Sequence, residues 1–215
     1  MSILDKRKEI VIVDYQMSNL FSVVRAIEKV GHTPKLSSSN RDLKNADALI
    51  LPGVGAFSSA MKNLKKLELV EPIRDFIKTG KPFMGVCLGL QLLFEESEEF
   101  GIHSGLGVIN GDVKKFENVQ GNRSNPIPQI GWNKISPFKQ NWETTPLNGV
   151  ETSSWMYFVH SYYVIPKNKE VILSKTSYCG LEYCSSIQKN NVFATQFHPE
   201  KSGPLGLKIY DNWLK

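Results

Sequence analysis

The sequence predicts an α/β fold in which a mostly parallel central sheet is flanked by helices and extended by an added antiparallel β portion. Residues 9–97 alternate short apolar runs with amphipathic helical patterns, which is typical of a parallel sheet covered by helices. Residues 105–197 contain short β-rich runs separated by Gly, Asn and Pro, which indicates added antiparallel strands and long loops. A length of 215 residues with 41% hydrophobic residues predicts a single domain over residues 1–215.

The individual elements follow from local patterns. In residues 18–30, apolar side chains recur at intervals of three and four, which predicts an amphipathic helix. The pattern of residues 205–214 predicts a helix at the C-terminal end of the sequence. The runs that predict strands are 10–13, 48–51, 83–86, 157–164, 171–173 and 192–197.

Composition argues against several classes of protein. The net charge is +5 and the lysines are interspersed with acidic residues, which is typical of a solvated surface, so we do not expect nucleic-acid binding. No apolar stretch approaches a membrane span and the first residues lack a signal-peptide core, so we expect a cytoplasmic protein that does not enter the membrane. Three cysteines make a disulfide framework improbable, and Cys179 and Cys184 lack zinc-site spacing. We interpret these two as small apolar residues in a hairpin and expect no metal or cofactor.

Cys87 lies at a sharp turn between a predicted strand and a predicted helix. The stretch Gly85-Val86-Cys87-Leu88-Gly89 follows an apolar run, and a helix-like pattern from residue 90 to 94 comes after it. This is the arrangement of a nucleophile elbow, where flanking glycines allow the strained backbone that leaves a nucleophile accessible. The N-terminus of the following helix favours a thiolate. The alternative interpretation is a buried structural cysteine.

A thiolate nucleophile needs a base and a group that orients the base. His32 follows a predicted helix and is interpreted as a capping residue, while His103 lies in a Gly-rich loop with no acid beside it. His160 is either a core histidine or a site residue. His198 ends a β-rich run and is followed two residues later by Glu200, a spacing that can place both side chains on one side of a strand end. With the cysteine, His198 and Glu200 make a candidate triad.

Acyl transfer also needs donors for the oxyanion. The N–H of Leu88, directly after the nucleophile, is one donor that an elbow supplies. A second could come from the Gly-rich turn at residues 51–57, which follows a predicted strand and should reach the same edge of the sheet as Cys87. Phosphate binding by this turn is disfavoured because the Lys and Ser/Thr of a P-loop are missing.

Five motifs together resemble the class I glutamine amidotransferases, and more narrowly the glutaminase subunits of imidazole glycerol phosphate synthases in histidine biosynthesis. The resemblance covers residues 10–215 and implies a flavodoxin-like fold. The motifs are Pro52-Gly53-Val54-Gly55, Gly85-Val86-Cys87-Leu88-Gly89-Leu90-Gln91, Gly131-Trp132-Asn133, Phe158-Val159-His160-Ser161-Tyr162 and Gln196-Phe197-His198-Pro199-Glu200-Lys201-Ser202.

The resemblance implies a glutaminase. Cys87 would attack the carboxamide of glutamine, His198 would pass a proton to the leaving ammonia, and Glu200 would hold His198. The N–H groups of Val54 and Leu88 would form the oxyanion hole, and the Gly53–Val54 peptide of the family can face the wrong way until a partner binds. The residues that the resemblance assigns to glutamine binding are Gly53, Gln91, Ser161 and Tyr162.

With 215 residues occupied by one hydrolase-like domain, we expect the enzyme that uses the ammonia to be a separate chain. The resemblance implies that the partner is a (β/α)8-barrel synthase (cyclase) subunit in a heterodimer, which receives the ammonia and forms imidazole glycerol phosphate. It also places four residues at or near the interface, although Trp132 could equally be a core residue. These are Trp132, Asn133, Tyr157 and Lys201.

Two departures leave the pathway open. Gln16 and Ser18 stand where the family usually has glycines, so a positive φ there would be strained. Gln129 stands where the family commonly has histidine. One alternative is therefore a paralogue that supplies ammonia to another synthase, such as one amidating a sugar for a surface polysaccharide. Others are a cysteine hydrolase that acts without a partner and a non-catalytic binding module.

Overall fold

The computed structural model describes residues 8–17, 20–117, 119–120, 123–124, 126–139 and 141–215. The strands are β1 (Ile10–Val13), β2 (Pro34–Ser37), β3 (Ala48–Gly53), β4 (Phe83–Cys87), β5 (Phe94–Ser97), β6 (His103–Ser104), β7 (Ile109–Lys115), β8 (Val119–Gln120), β9 (Arg123–Ser124), β10 (Gln129–Pro137), β11 (Ser154–His160), β12 (Tyr162–Pro166), β13 (Ile172–Tyr178), β14 (Leu181–Lys189) and β15 (Val192–Thr195). The helices are α1 (Leu20–Lys29), α2 (Asn40–Asn45), α3 (Phe57–Lys66), α4 (Val70–Lys78), α5 (Leu88–Leu92) and α6 (Gly203–Leu214), with 3-10 turns at Lys169–Val171 and Pro199–Lys201.

The predicted fold class is confirmed by the main sheet. Its strands β2, β1, β3, β4 and β15 lie side by side in that order and are all parallel. The sheet continues antiparallel through β14, β12 and β7. Strand β5 then pairs with β7 in parallel, and β6 pairs with β5 antiparallel. Strands β10 and β11 form an antiparallel ribbon that branches from β13.

Burial explains why the central strands are continuous apolar runs. Every residue of β1, β3 and β4 is buried, as expected for parallel strands that are covered on both faces. The amphipathic helix α1 buries Leu20, Val23, Ala26 and Ile27, which is the face that the spacing predicts. Its predicted start at Ser18 lies outside the described residues.

Several predicted boundaries are wrong. The run at 171–173 begins in the 3-10 turn Lys169–Val171, and β13 starts at Ile172. The single run at 157–164 is two strands, since Ser161 separates β11 from β12 and the two pair with different neighbours. The helix-like pattern after Cys87 ends at Leu92, and Phe94 already begins β5. Alternation of apolar residues in these short stretches fits either structure, so sequence alone does not separate them. The run at 192–197 ends as a strand at Thr195.

Strand register brings three sequence-distant segments to one edge of the sheet. Gly53 at the end of β3 pairs with Cys87 at the end of β4, and Thr195 at the end of β15 pairs with Val86. The carboxyl ends of parallel strands meet at the same edge, which is where open α/β sheets bind ligands. The loop after β3, the turn at Cys87 and the segment after β15 are therefore neighbours.

The remaining cysteines belong to the β13–β14 hairpin. Cys184 is buried in β14, Cys179 is partly exposed at the turn, and both are free. No helix among the described residues is long and apolar enough to cross a membrane.

Candidate active site

Cys87 lies on a strained turn that two glycines make possible. Its backbone angles are φ 54° and ψ −106°, and a positive φ at a residue with a side chain is unfavourable unless its surroundings impose it. A Cβ on Gly89 would lie 1.8 Å from the carbonyl oxygen of Leu51, and one on Gly85 would lie 2.9 Å from the carbonyl oxygen of Gly89. Only glycines therefore let α5 approach β3 and β4 closely enough to form the predicted elbow.

The second part of the site is a buried pair that follows β15. His198 Nδ1 and Glu200 Oε1 are 2.7 Å apart, and the exposed fractions of the two side chains are 2% and 5%. The other carboxylate oxygen of Glu200 accepts a hydrogen bond from the Tyr210 hydroxyl at 3.4 Å. Because the Glu200 carboxylate accepts a hydrogen bond from Nδ1–H, the proton stays on that nitrogen and Nε2 is left to face the cysteine.

The charge of Cys87 changes the pKa of His198. Burial alone would lower the pKa of His198, but the charge of Cys87 and the charge and hydrogen bond of Glu200 together outweigh burial and raise that pKa to about 10. His198 Nε2 has no hydrogen-bond partner among the described residues, so this nitrogen is free to exchange a proton with the sulfur. The raised pKa favours a protonated His198, and a cation next to a cysteine activates the sulfur as a nucleophile.

One of the two expected oxyanion donors is turned away. Leu88 is the first residue of α5, where N–H groups lack an intrahelical partner. The N–H of Val54, in contrast, donates to the carbonyl oxygen of Met17 at 3.2 Å. The Tyr15 hydroxyl donates to the carbonyl oxygen of Pro52 at 2.8 Å, so two hydrogen bonds hold the turn after β3 in this orientation.

The segment after β1 adopts the conformation that its sequence makes costly. Gln16 has a φ of 64°, the positive value that a glycine would adopt without strain. Its N–H donates to Asp14 Oδ1 at 3.0 Å, which offsets part of that cost. Ser18, the other departure from the family pattern, lies outside the described residues.

Cys87 opens into a cavity of about 390 Å³. Of the residues predicted to form the oxyanion hole or to bind glutamine, all but Gly53 line this cavity. A Cβ on Gly53 would lie 2.2 Å from the Tyr15 hydroxyl oxygen, so Gly53 packs on Tyr15 instead. The predicted residues that line the cavity are Val54, Leu88, Gln91, Ser161 and Tyr162.

Glu99 also lines the cavity, and sequence reasoning missed it. Burial raises the pKa of its carboxyl group, although the group accepts a hydrogen bond from the Phe57 N–H at 2.5 Å. Among the described residues that line the cavity, Glu99 is the one carboxylate. In the sequence it belongs to an acidic run at residues 95–99 that resembles a solvated surface, so no signal distinguishes it.

His160 is a buried core histidine at the wall of the cavity. Burial lowers its pKa to about 3, so the ring is neutral near pH 7. Its Nδ1–H donates to the carbonyl oxygen of Tyr162 at 2.8 Å, and Nε2 lies 3.3 Å from the Tyr183 hydroxyl. Gln129 is buried beside it and lies within 2.9 Å of the same hydroxyl. A neutral ring engaged in this way does not shuttle protons at neutral pH.

Of the four predicted interface residues, Trp132, Asn133 and Tyr157 lie on the β10–β11 ribbon, and Lys201 lies at the Cys87 cavity. Trp132 is 52% exposed, so the alternative that it is a core residue is wrong, and its ring contacts that of Tyr157, its partner across the ribbon, edge to face. Asn133 instead donates to the carbonyl oxygen of Ser177 at 2.9 Å. Lys201 lies over the Tyr157 ring and lines the Cys87 cavity.

The ribbon of β10 and β11 is also connected to the triad. The His198 N–H donates to the carbonyl oxygen of Tyr157 at 2.9 Å. The Ser202 hydroxyl accepts from the Tyr157 N–H at 3.0 Å and donates to the carbonyl oxygen of His198 at 2.6 Å. The exposed aromatic face, which consists of Trp132 and the half-buried Tyr157, and the segment 198–202 therefore share one hydrogen-bonded unit.

Known proteins of one family resemble this chain over nearly its whole length. The family model described as glutamine amidotransferase class-I matches residues 11–215. The imidazole glycerol phosphate synthase subunit HisH of Aquifex aeolicus (strain VF5) is 50% identical over 208 residues, covering 95% of each chain. The corresponding subunit of Cyanophora paradoxa is 47% identical over 210 residues, covering 96% of this chain and 94% of the relative.

Solved structures agree on the fold. The structure of PurLQS from Thermotoga maritima matches with a TM-score of 0.72 at 18% identity, covering 97% of this chain and 98% of that chain. The glutaminase domain of Trypanosoma brucei CTPS, with bound acivicin, matches with a TM-score of 0.66 at 16% identity, covering 96% and 94%. At these identities the likeness concerns the fold alone.

Proposed function

This chain belongs to the class I glutamine amidotransferases, and we propose that it is the glutaminase subunit of an imidazole glycerol phosphate synthase in histidine biosynthesis. It hydrolyses glutamine to glutamate and ammonia, and the ammonia passes to a separate synthase subunit. The observation that carries the proposal is Cys87 on its elbow beside the buried His198–Glu200 pair. A single domain over residues 1–215 and a cytoplasmic location are parts of the same proposal.

The reaction follows from the positions of these groups. The Cys87 thiolate attacks the γ-carboxamide carbon of glutamine, and the negative charge that develops on the carboxamide oxygen is stabilised by backbone N–H groups. His198 Nε2 donates a proton to the amide nitrogen, the C–N bond breaks, and ammonia leaves a γ-glutamyl thioester on the sulfur. His198 then takes a proton from water, the resulting hydroxide attacks the thioester carbon, and glutamate leaves as the thiolate is restored.

The cavity supports recognition of an amino acid. An α-ammonium group requires an anionic partner, and Glu99 supplies a partly buried carboxylate beside Cys87. Gln91, Ser161 and Tyr162 supply further polar groups to the lining of the cavity. Together they would hold the two ends of glutamine while its carboxamide lies against the sulfur.

We further propose that the oxyanion hole is completed only in the complex. The Val54 N–H is bound to Met17, so this hydrogen bond must break before that N–H can face the cavity. Loss of one oxyanion donor typically costs about 3 to 4 kcal/mol of transition-state stabilisation, and the chain alone should therefore be a slow glutaminase. The expected partner is a (β/α)8-barrel synthase (cyclase) subunit that forms a heterodimer on the exposed aromatic face and produces imidazole glycerol phosphate.

A glutaminase assay with and without the purified synthase subunit tests this proposal. We expect low activity alone, strong stimulation when the partner carries its own ligand, and no glutamine use by Cys87→Ala. The Cys87→Ala complex should still form product from supplied ammonia. Cys179→Ala, at the partly exposed turn of the β13–β14 hairpin, is the matched control and should behave as wild type.

Two results would contradict the proposal in different ways. Full glutaminase activity of the lone chain, unresponsive to any partner, would indicate a hydrolase that acts independently. Stimulation by a synthase of another pathway, such as a sugar-amidating enzyme, with none by the cyclase subunit would indicate a paralogue.

A further inference from the structure

The side chain of Gln196 lies completely buried between the cysteine and a residue of the substrate cavity. Its Nε2 is 3.7 Å from Cys87 Sγ, and its Oε1 is 3.2 Å from Gln91 Nε2. The residue follows β15 directly, and its N–H donates to the carbonyl oxygen of Ser185 at 2.9 Å. Because β15 runs parallel to β4, this position places Gln196 next to the elbow.

The hydrogen bonds of Gln91 determine which end of the Gln196 amide faces the sulfur. Gln91 Nε2 also lies 3.0 Å from the carbonyl oxygen of Tyr162, which can only accept. The nitrogen of Gln91 is therefore correctly assigned as a donor, so the Gln196 atom that meets it must be the oxygen. The N–H group of Gln196 is left to point at Cys87.

A donor in this position acts on the two forms of the cysteine differently. A thiolate accepts hydrogen bonds, and a donor beside it stabilises the charge. The protonated thiol has another partner, the carbonyl oxygen of Val159 at 3.9 Å. Donation from Gln196 thus favours the ionised sulfur and a side-chain orientation away from Val159.

We propose that Gln196 is a positioning residue of the reaction, whose N–H holds the Cys87 thiolate and whose oxygen holds Gln91 at the substrate. This inference rests on the proposed glutaminase function for its kinetic consequences, whereas the state of the sulfur can be measured without substrate. Gln196 is the first residue of the motif that contains His198 and Glu200, and its residue type and position alone indicate no role.

Two substitutions separate the two contacts. Gln196→Glu keeps an acceptor for Gln91 but replaces the donor at the sulfur by a negative charge. Gln196→Met fills similar space and removes both contacts. Gln188→Met, a partly buried glutamine on β14 whose Oε1 has no partner among the described residues, is the matched control.

The first readout is the ultraviolet absorbance of the thiolate in the lone chain near pH 7, taken as the difference from the same protein carrying Cys87→Ser. We expect a thiolate band in the wild type and in Gln188→Met, and a loss of about tenfold in Gln196→Glu, since an acceptor beside an anion destabilises it. Circular dichroism verifies the fold of each variant. If Gln196→Glu does not fold, the proposal is tested by the kcat and KM of Gln196→Met for glutamine.

The second readout is glutamine hydrolysis by the chain with its synthase partner. Gln196→Glu should lower kcat by about tenfold or more and leave KM within about threefold, because only the sulfur contact is lost. Gln196→Met should lower kcat and also raise KM, because Gln91 loses its partner. The role of Gln196 would be overturned if folded Gln196→Glu kept the thiolate band of the wild type. It would also be overturned if either folded variant kept the kcat of the wild type.

The failure of this inference is distinguishable from failure of the proposed function. If the wild type hydrolyses glutamine and Gln196→Glu keeps both its thiolate band and its kcat, the function stands and the positioning role falls. If Gln196→Glu loses the thiolate band while the wild type uses no glutamine with any partner, the sulfur contact stands and the glutaminase function falls.

Discussion

Gly89→Ala is the substitution that tests the elbow most severely. Gly89 lies in the first turn of α5, and a Cβ there would be 1.8 Å from the carbonyl oxygen of Leu51 and 2.9 Å from its carbonyl carbon. Both atoms belong to the backbone of β3, so no side-chain rotation can make room. Relief requires the helix and the strand to separate.

The size of the separation follows from the same distance. Ordinary contacts begin at 3.4 Å, so α5 and β3 must part by about 1.6 Å along that contact. Cys87 and Leu88 directly precede Gly89 and move with it. A misplacement of about 1 Å can cost about 100-fold in rate, and overpacking costs about 1 to 3 kcal/mol of folding free energy. We therefore expect a folded protein whose kcat falls by about 100-fold or more.

The assay is steady-state glutamine hydrolysis in the presence of the synthase subunit, with thermal unfolding measured in parallel. Gly107→Ala is the control, because a Cβ at Gly107 meets nothing within 4 Å although its φ is +63°. It should lose about 1 kcal/mol of stability and keep its activity. A Gly89→Ala protein with wild-type kcat would refute the elbow geometry.

Three further substitutions test other parts of the site. Glu99→Gln removes the carboxylate proposed for the α-ammonium group, so KM for glutamine should rise about tenfold or more while kcat changes little, and an unchanged KM would exclude that role. Burial lowers the pKa of His160 to about 3, so it contributes stability above pH 6.5 that is lost as pH falls toward 3. His160→Asn should therefore flatten the fall in unfolding free energy between pH 6 and pH 4 by about 1.4 kcal/mol per pH unit in urea titrations, and equal slopes would contradict this. Trp132→Ala should weaken binding of the synthase subunit by about 30-fold in calorimetry without changing the thiolate band, whereas wild-type affinity would remove Trp132 from the interface.

The sequence predicts the parts of the site that depend on local spacing. Cys87 is recognisable because glycines stand on both sides at the end of an apolar run. The His198–Glu200 pair is recognisable because the two residues are two positions apart after a β-rich run, although the structure places them at a 3-10 turn beyond the end of β15. The register that brings these segments together follows from the parallel sheet, which alternating patterns predict. These are short-range signals.

What the sequence does not show depends on side-chain and peptide orientation. The orientation of the Val54 N–H is set by its hydrogen bond to Met17, which joins segments 37 residues apart. Glu99 lines the cavity, although it belongs to an acidic run with three other glutamates, at residues 95, 96 and 98. In the sequence, Gln196 is one more polar residue in a run that predicts a strand, and only its two side-chain contacts distinguish it. Each depends on long-range packing that residue type alone does not encode.

The central claim is that glutamine becomes covalently attached to the sulfur of Cys87. Rapid quenching of the complex with isotopically labelled glutamine, followed by mass spectrometry of the peptide that contains residue 87, measures this directly. We expect a base-labile γ-glutamyl group on Cys87 that forms before glutamate is released and is absent from Cys87→Ala. Turnover of glutamine with the label on another residue, or with no label on Cys87 at any time, would contradict the claim.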